Sequence, residues 1–294
     1  MFNAHFIVWQ VASIAAAPGS MSQSLQSLLP CPSHFLLPLP TVKRLEWHVD
    51  ERFHRDVLFA HVDAYDQFRD NLQVDCMDGE KRLTRTLCTK AGVSADAMVQ
   101  LAIQLAHDKV HNQPAATSKS CSTAAFKHGR SETIRPATLA TRHFLELVRL
   151  EESSRGPPAL TDDLLAAIHQ CSKTHVRLVR EAAAGQGWDS HLLALKHFAD
   201  AEALALPLPQ IFTDPNYARI NDVILSTNTF SSPAVRIGAF APTSPNGYGI
   251  CYSITDDGCR ACVTSWRDSH YSKGAQFVDA LRQSLRRVAC VLRG

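Results

Sequence analysis

The spacing of apolar residues changes once along this chain, at Pro207–Pro209, and this change restricts the fold more than any other feature. Before it, apolar residues recur at helical intervals over long segments, which predicts amphipathic helices packed on a larger core. Ser94 is a typical N-cap, and the Gly156–Pro158 break separates two of the helices. The predicted helices cover residues 42–72, 94–111, 137–152, 161–184 and 189–203.

After Pro209 the apolar runs are short, and Gly, Pro and Asn turns separate them. The predicted strands cover residues 220–226, 234–240, 249–254 and 259–265, and a last amphipathic helix covers 273–292. Helices followed by a strand meander and a covering helix predict an α/β layered domain.

Composition excludes some classes of function. The 294 residues are 45% hydrophobic and 20% charged, as is typical of soluble globular proteins. A formal net charge of +2 gives no electrostatic footprint for nucleic acid, so an anionic ligand has to be bound by a local patch. The nine cysteines are scattered, which favours reduced thiols. Cys259 and Cys262 form a single CxxC pair without further ligand spacing, so we predict no metal site and keep a zinc or redox role as the weaker alternative.

Residues 1–40 differ from the rest of the chain. Their apolar run, residues 6–17, is too short and interrupted to span a bilayer, and no basic residue precedes it as in a secretory signal. The absence of Arg argues against a mitochondrial presequence. We expect an unstructured or non-homologous leader at 1–40 and the folded portion at 41–294.

Two polar clusters lie about a hundred residues apart, Ser120–Pro136 and Leu225–Pro233. Between them lie Glu-Ala-Ala-Ala-Gly-Gln-Gly-Trp-Asp at 181–189 and His-Leu-Leu-Ala-Leu-Lys at 191–196. In this order the segments resemble the carnitine/choline O-acyltransferases, nearest to the mitochondrial carnitine palmitoyltransferase branch. The resemblance covers about residues 45–292.

Members of that family transfer a fatty acyl group between coenzyme A and the hydroxyl of carnitine, with two similarly folded halves related to chloramphenicol acetyltransferase. The resemblance implies a mixed β-sheet flanked by helices, here an incomplete copy of that coenzyme A-dependent fold. It implies acyl-CoA and carnitine as partners, coenzyme A as a co-substrate rather than a permanent cofactor, and no nucleic acid. It further implies a mitochondrial location, with the cytoplasm as the alternative, and peripheral membrane association.

Acyl transfer needs a general base and donors for the oxyanion. The family's base is a His in His-x-x-x-Asp-Gly, and none of the fourteen histidines here has Asp four residues on. We therefore expect the carboxyl-terminal portion of an acyltransferase, inactive alone, with His128 as a structural residue. The resemblance assigns supporting roles to Arg130, Ser226 and Asn228. Because the acidic partner of Arg130 is missing, this guanidinium is expected to face solvent or Glu132.

The resemblance also implies two binding regions. The coenzyme A contacts are Lys81, Lys90, Ser94 and Asp96, helped by Arg82 and Arg85, and a solvated basic loop is the alternative. The carnitine contacts are Ser118, Ser120 and Ser131, but Ser118 stands where relatives have Tyr, and Ser190 stands where they have Arg. Relatives have Ser-Thr-Ser where this chain has Ser226, Thr227 and Asn228. These departures keep open a non-catalytic remnant or coenzyme A-binding module and, less favoured, an acceptor without a carboxylate.

Overall fold

A computed structural model of the chain describes residues 43, 46, 48, 50–153, 161–199, 207–230 and 237–294. The chain divides into two compact units, residues 1–70 and 71–294. The predicted leader, residues 1–40, lies outside the described residues. None of the helices in the described ranges has the length and apolar character needed to cross a membrane.

The described part of the first unit is helical. Helix α1 covers Glu51–Phe53, a π-helical stretch covers His54–Leu58, and α2 covers Phe59–Asn71. The helix predicted over 42–72 is therefore confirmed for residues 51–71, whereas the described residues 43, 46, 48 and 50 are not helical and Leu72 begins a strand. Its apolar residues were expected to pack on a core, but Phe59 is 62% exposed and Phe68 is 50% exposed.

The second unit is built on a mixed sheet, as the resemblance predicts. The described residues form six strands in the order β1-β6-β5-β4-β2-β3. Strand β4 is parallel to both β2 and β5, and the other neighbours are antiparallel. The strands are Leu72–Glu80 (β1), Thr117–Ser122 (β2), Ser131–Ile134 (β3), Leu225–Thr229 (β4), Tyr248–Thr255 (β5) and Gly258–Trp266 (β6).

Helices flank this sheet, and most begin where the sequence predicts. Ser94 caps the buried core helix that begins at Ala95, by accepting a hydrogen bond from the Ala97 amide at 3.3 Å. The last helix packs on that core helix and on β1, which places Phe277 and Leu281 in the main core. The helices are Arg85–Lys90 (α3), Ala95–His111 (α4), Leu139–Ser153 (α5), Thr161–Ala183 (α6), Asp189–Ala199 (α7), Gln210–Thr213 (α8), Pro215–Asn221 (α9) and Gly274–Val291 (α10).

The segment around Lys81 and Lys90, for which a solvated basic loop was the alternative, is mostly regular structure. Strand β1 runs to Glu80, and α3 follows after a short turn. As an edge strand, β1 exposes Val74 and Cys76 and buries Met77 and Glu80, so its polar residues do not interrupt the strand. The strand part of this region is therefore ordered by pairing with β6.

Two predicted strands also change. Residues 220–226 divide between α9 and β4 because Asp214 caps α9, accepting from the Asn216 amide at 2.7 Å, and Pro215 begins the helix. Of the strand predicted at 234–240, residues 234–236 lie outside the described ranges, and residues 237–240 are irregular. There the Phe240 carbonyl accepts a hydrogen bond from Thr264 Oγ1 at 2.5 Å, so this segment lies over the sheet.

Candidate active site

Side chains of β2 and β4 alternate between the two faces of the sheet. Lys119 and Thr227 are buried on the face that α4 covers. Their neighbours Ser118 and Ser226 therefore lie on the opposite face, and the two serines are directly paired across the parallel strands. Two positions after Ser226, Asn228 lies on the same face and pairs with Cys251 of β5.

The remaining predicted acceptor residues share this face. Ser120 pairs with Thr133 across β2 and β3, and Ser131 pairs with Ser122. We call this set the polar face: Ser118, Ser120, Ser131, Ser226 and Asn228. Ser120 and Ser131 are exposed, whereas the other three are half-buried. Register thus gathers on adjoining strands five residues that lie far apart in the sequence.

The polar face offers hydrogen-bond donors. The amide oxygen of Asn228 accepts a hydrogen bond from the Thr229 backbone at 2.9 Å, so its NH₂ group is the part that can donate to a ligand. The Ser226 and Ser118 hydroxyls can donate or accept. Such groups can bind an alcohol and a developing oxyanion, and they cannot act as a general base at neutral pH.

Behind the polar face, Asp96 of α4 is the centre of a buried network. Its carboxylate accepts from His175 Nε2 at 2.8 Å and from the Tyr252 hydroxyl at 2.6 Å, and Lys119 Nζ lies 3.4 Å away. Burial alone would raise the pKa of Asp96, but the His175 hydrogen bond and the Lys119 charge outweigh it and lower that pKa to about 2. Asp96 is therefore ionised at neutral pH. Predicted as a coenzyme A contact, it bonds within the protein here.

Gln100 connects this network to the strands of the polar face. Its amide donates to Thr227 Oγ1 and to the Tyr252 hydroxyl, each at 2.9 Å, and Thr227 Oγ1 donates to the Ser118 carbonyl at 2.8 Å. Gln100 Oε1 is buried and has no hydrogen-bond partner among the described residues. The network fixes β2 against β4 from behind, which holds Ser118 and Ser226 in place.

The predicted coenzyme A residues lie apart from the polar face. Lys81 follows β1 and Lys90 ends α3, and both are exposed. Arg85 is bound to the Ile254 carbonyl at 3.0 Å. The Ser94 hydroxyl serves as the cap of α4, and the Ser94 amide donates to Ser172 Oγ at 2.8 Å.

A groove of about 810 Å³ beside Ser94 supplies basic residues that the sequence analysis missed. One wall is α6, whose basic side chains there are His169, Lys173, Arg177 and Arg180. The spacing of Lys173, Arg177 and Arg180 repeats every three or four residues, which places them along one side of a helix. That periodicity was available in the sequence.

Ser190, where the resemblance led us to expect an arginine, binds a buried carboxylate. Its backbone amide and its hydroxyl donate to Glu132 Oε1 at 3.1 and 2.9 Å. A Cβ at Gly187 would collide with the Glu132 side chain, so only glycine allows this close approach. Arg135, just after β3, donates two hydrogen bonds of 2.7 Å to Asp189 at the start of α7, next to Ser190. Ser190 therefore has a structural partner.

The turn between β2 and β3 carries Arg130 and His128, both exposed. Arg130 was expected to face either solvent or Glu132. Because Ser190 and the Thr133 amide donate to Glu132, Arg130 faces solvent. His128 was expected to be a structural residue, and its side chain is exposed in this turn. Within the part of the chain that the structure describes, no cluster of three or more His, Cys, Asp or Glu side chains is arranged to hold a metal ion.

The sequence of the chain is similar to those of known acyltransferases. Residues 17–283 match the family model described as choline/carnitine O-acyltransferase. Carnitine O-palmitoyltransferase 2 of Xenopus tropicalis is 38% identical over 253 residues, which are 85% of this chain and 36% of that protein. Peroxisomal carnitine O-octanoyltransferase of Rattus norvegicus is 30% identical over 251 residues, 83% of this chain and 38% of that protein. The chain thus spans little more than a third of these relatives.

A solved chloramphenicol acetyltransferase is similar at 8% identity and a TM-score of 0.37, over 77% of this chain and 93% of that one. A likeness this weak carries no argument. The mixed sheet flanked by helices rests on the strand register itself.

Proposed function

The chain belongs to the choline/carnitine O-acyltransferase family, and from this premise we propose that it supplies the acceptor wall of a site for fatty acyl transfer between coenzyme A and carnitine. The observation that carries the proposal is the pairing of Ser118 with Ser226, with Asn228 two positions on, on the sheet face opposite α4.

In this proposal the polar face binds the acceptor and stabilises the charge that develops in the reaction. Attack of a hydroxyl on a thioester forms a tetrahedral oxyanion, which preorganised donors stabilise. Ser226 and the Asn228 amide are placed to donate, while Ser118, Ser120 and Ser131 offer hydroxyls to the acceptor. The Gln100–Thr227 contacts keep these donors from rearranging during the reaction.

We assign coenzyme A to the groove beside Ser94. Lys173 and Arg180 offer charge-assisted hydrogen bonds to its phosphates, while Arg177 is paired with Glu181, which also lines the groove. Lys81 and Lys90 stay proposed contacts although they do not line the groove. Because the net charge of the chain is only +2, these local cations have to provide the attraction.

The general base is proposed to come from outside the described residues. None of the described strands contains a histidine, His175 is bound to Asp96 behind the sheet, and His128 is exposed in a turn. The chain by itself, residues 41–294 as the carboxyl-terminal portion, is then expected to bind substrates without normal turnover.

Two measurements on the purified chain test this proposal. Calorimetry with coenzyme A and with carnitine, separately, is expected to show binding of both, and an assay with palmitoyl-CoA and carnitine is expected to show no robust acylcarnitine formation. Ser226→Ala should weaken carnitine binding, whereas Thr89→Ala, on exposed α3, should leave it unchanged. Robust turnover would show that a base is present and would overturn the assignment.

The second candidate is a coenzyme A-binding module without an acceptor site. It is favoured by Ser118 and Ser190, which replace the tyrosine and arginine that the resemblance leads one to expect, and by Ser190 being bound to Glu132. Binding of coenzyme A without any binding of carnitine would select this candidate.

We also propose a mitochondrial location, because the Xenopus tropicalis relative is mitochondrial by name, and peripheral membrane association as in the family. Subcellular fractionation followed by a carbonate wash of the membranes tests both. Recovery in the peroxisomal fraction, where the name of the octanoyltransferase places that relative, would contradict the location.

A further inference from the structure

Two cysteines of β1 and β6 lie side by side. Cys76 and Cys262 are directly opposite each other in the antiparallel pair, and their Sγ atoms are 3.1 Å apart. Directly opposite residues in antiparallel strands have Cα atoms about 4.5–5.5 Å apart. Disulfides join Cα atoms about 4.4–6.8 Å apart, so a bond between these sulfurs needs no movement of the strands.

The two thiols differ in access. Cys76 is exposed on the edge strand, whereas Cys262 is 2% exposed. Burial, followed by the hydrogen bond with Cys76, raises the pKa of Cys262 well above its usual range. Cys76 is therefore the sulfur that an oxidant in solution reaches, and Cys262 lies beside it as the thiol that can form the disulfide.

The structure also separates Cys262 from its partner in the CxxC pair. Cys259 and Cys262 are three residues apart on one strand, so their side chains point to opposite faces. Cys259 is bound instead to the Leu83 carbonyl at 3.4 Å. The neighbours of Cys262 are Cys76 on one side and Cys251, its pair in β5, on the other.

We propose that Cys76 and Cys262 form a thiol-oxidation site, at which a hydroperoxide produces a cross-strand disulfide. The Cys76 thiolate attacks the peroxide, the O–O bond breaks, and Cys76 becomes a sulfenic acid while water or an alcohol leaves. The Cys262 sulfur then attacks the Cys76 sulfur, the S–O bond breaks, and hydroxyl and the Cys262 proton leave as water. Two electrons pass from the thiols to the peroxide, and a dithiol reductant reverses the bond.

This modification would link the sheet edge to its interior. The disulfide joins β1 to β6 and closes a loop between residues 76 and 262, which restricts the unfolded chain. Cys76, Cys262, Cys251 and Asn228 occupy one row of paired positions across four strands. The oxidation site therefore lies in the same row as a residue of the polar face, although its chemistry does not depend on the proposed acyl transfer.

Peptide mapping of the full chain tests the proposal. The reduced protein is treated with hydrogen peroxide, its remaining thiols are alkylated, and peptides are analysed by mass spectrometry. We expect a linked pair of peptides containing Cys76 and Cys262, lighter than the reduced pair by about 2 Da, that disappears with dithiothreitol. The oxidised protein should also melt at a higher temperature than the reduced protein.

Variants distinguish this site from general oxidation. Cys76→Ser and Cys262→Ala should each abolish the linked peptides and the rise in melting temperature, and Cys290→Ser, which removes an exposed thiol on α10, should retain both. The unvaried protein gives the primary result, so a poorly folded Cys262 variant does not obscure it. Recovery of Cys76 as a sulfinic acid, in a disulfide between two chains, or unreacted while Cys290 is oxidised, would overturn the proposal, as would a Cys251–Cys262 bond.

Discussion

At the scale of single residues, Asp96 neutralises a buried lysine behind the polar face. Lys119 has 7% of its side chain exposed, and the Asp96 carboxylate is its ion-pair partner. Removing one partner of a buried pair leaves the other charge uncompensated, which costs more than the pair itself contributes. The pair therefore ties α4 to β2 whatever the ligands of this chain are.

The variant Asp96→Asn tests this role. It keeps the size of the side chain but leaves Lys119 without a counter-charge, so we expect the free energy of unfolding to fall by about 3–5 kcal/mol. Urea denaturation measures this loss. The matched control is Asp78→Asn, whose carboxylate is 58% exposed and 3.2 Å from Arg260, and it should cost less than about 1 kcal/mol. Equal losses of unfolding free energy in the two variants would contradict this role, because they would show that the Lys119 charge is stabilised without Asp96.

At the scale of elements, α6 carries a second test. Truncation of Lys173 and Arg180 to alanine should each lower the affinity for coenzyme A by about tenfold or more, because each removes a charge-assisted hydrogen bond to phosphate. Calorimetry at two salt concentrations should show a weaker salt dependence in the variants. Arg142→Ala, an exposed residue of α5 paired with Glu146, is the control and should bind normally. Unchanged affinity in both α6 variants would remove coenzyme A from the groove.

A variant of Ser94, the N-cap of α4, tests whether this residue stabilises the helix or binds coenzyme A. Ser94→Ala removes the hydroxyl that accepts from the Ala97 amide, so stability should fall by about 1 kcal/mol. If Ser94 acts only as a cap, the variant should bind coenzyme A with unchanged affinity under conditions in which it is fully folded. A large loss of affinity without loss of stability would instead place the ligand at Ser94, as the family resemblance implies.

The elements also show what the sequence could reveal. Helices such as α4 and α10 were predicted because an apolar stripe, a cap or a closing break marks them. Strand β1 was missed because it follows α2 without a break, and because its apolar residue Val74 is exposed at the sheet edge while its carboxylate Glu80 is buried. The mixed sheet was predicted from the resemblance alone, and the parallel pairing of β4 was not predicted, since local patterns do not specify which strands become neighbours.

The candidate site divides in the same way. The residues of the polar face were predicted, because motif order identified them. The network of Gln100, His175 and Lys119 behind that face was missed, because these residues lie on three elements and only folding makes them neighbours. The replacement at Ser190 was visible in the sequence, but its hydrogen bonds to Glu132 depend on a close approach at Gly187.

At the scale of the whole molecule, stability should depend on pH through two groups, the buried His107 and the half-buried Asp96. Burial, followed by the nearby charge of His111, lowers the pKa of His107 from 6.5 to about 4. Its Nδ1 donates to the Gln113 carbonyl at 2.9 Å, and the ring is 1% exposed, so the folded chain holds it neutral. The network around Asp96 lowers that carboxyl pKa from 3.8 to about 2.

The two shifts act in different pH windows. Between pH 6.5 and 4 the unfolded chain binds a proton at His107 that the folded chain does not, so stability falls as pH falls, by about 3 kcal/mol in total. The Asp96 contribution is fully present above pH 3.8 and is lost as pH falls toward about 2, a further loss of about 2 kcal/mol. Stability should therefore be level near neutral pH and decline in two steps on acidification.

Urea denaturation at a series of pH values between 7 and 3 measures the first step directly. His107→Gln removes the titrating ring and should flatten the profile between pH 6.5 and 4, although its stability at pH 7 falls through lost packing. His128→Gln, in the exposed turn, should leave the slope of the native chain unchanged. Constant stability of the native chain from pH 7 to pH 4 would contradict this prediction, because it would mean that the pKa of His107 is the same in the folded and unfolded chain. The contacts of His107 with Gln113 and Tyr271 would then have to open to water.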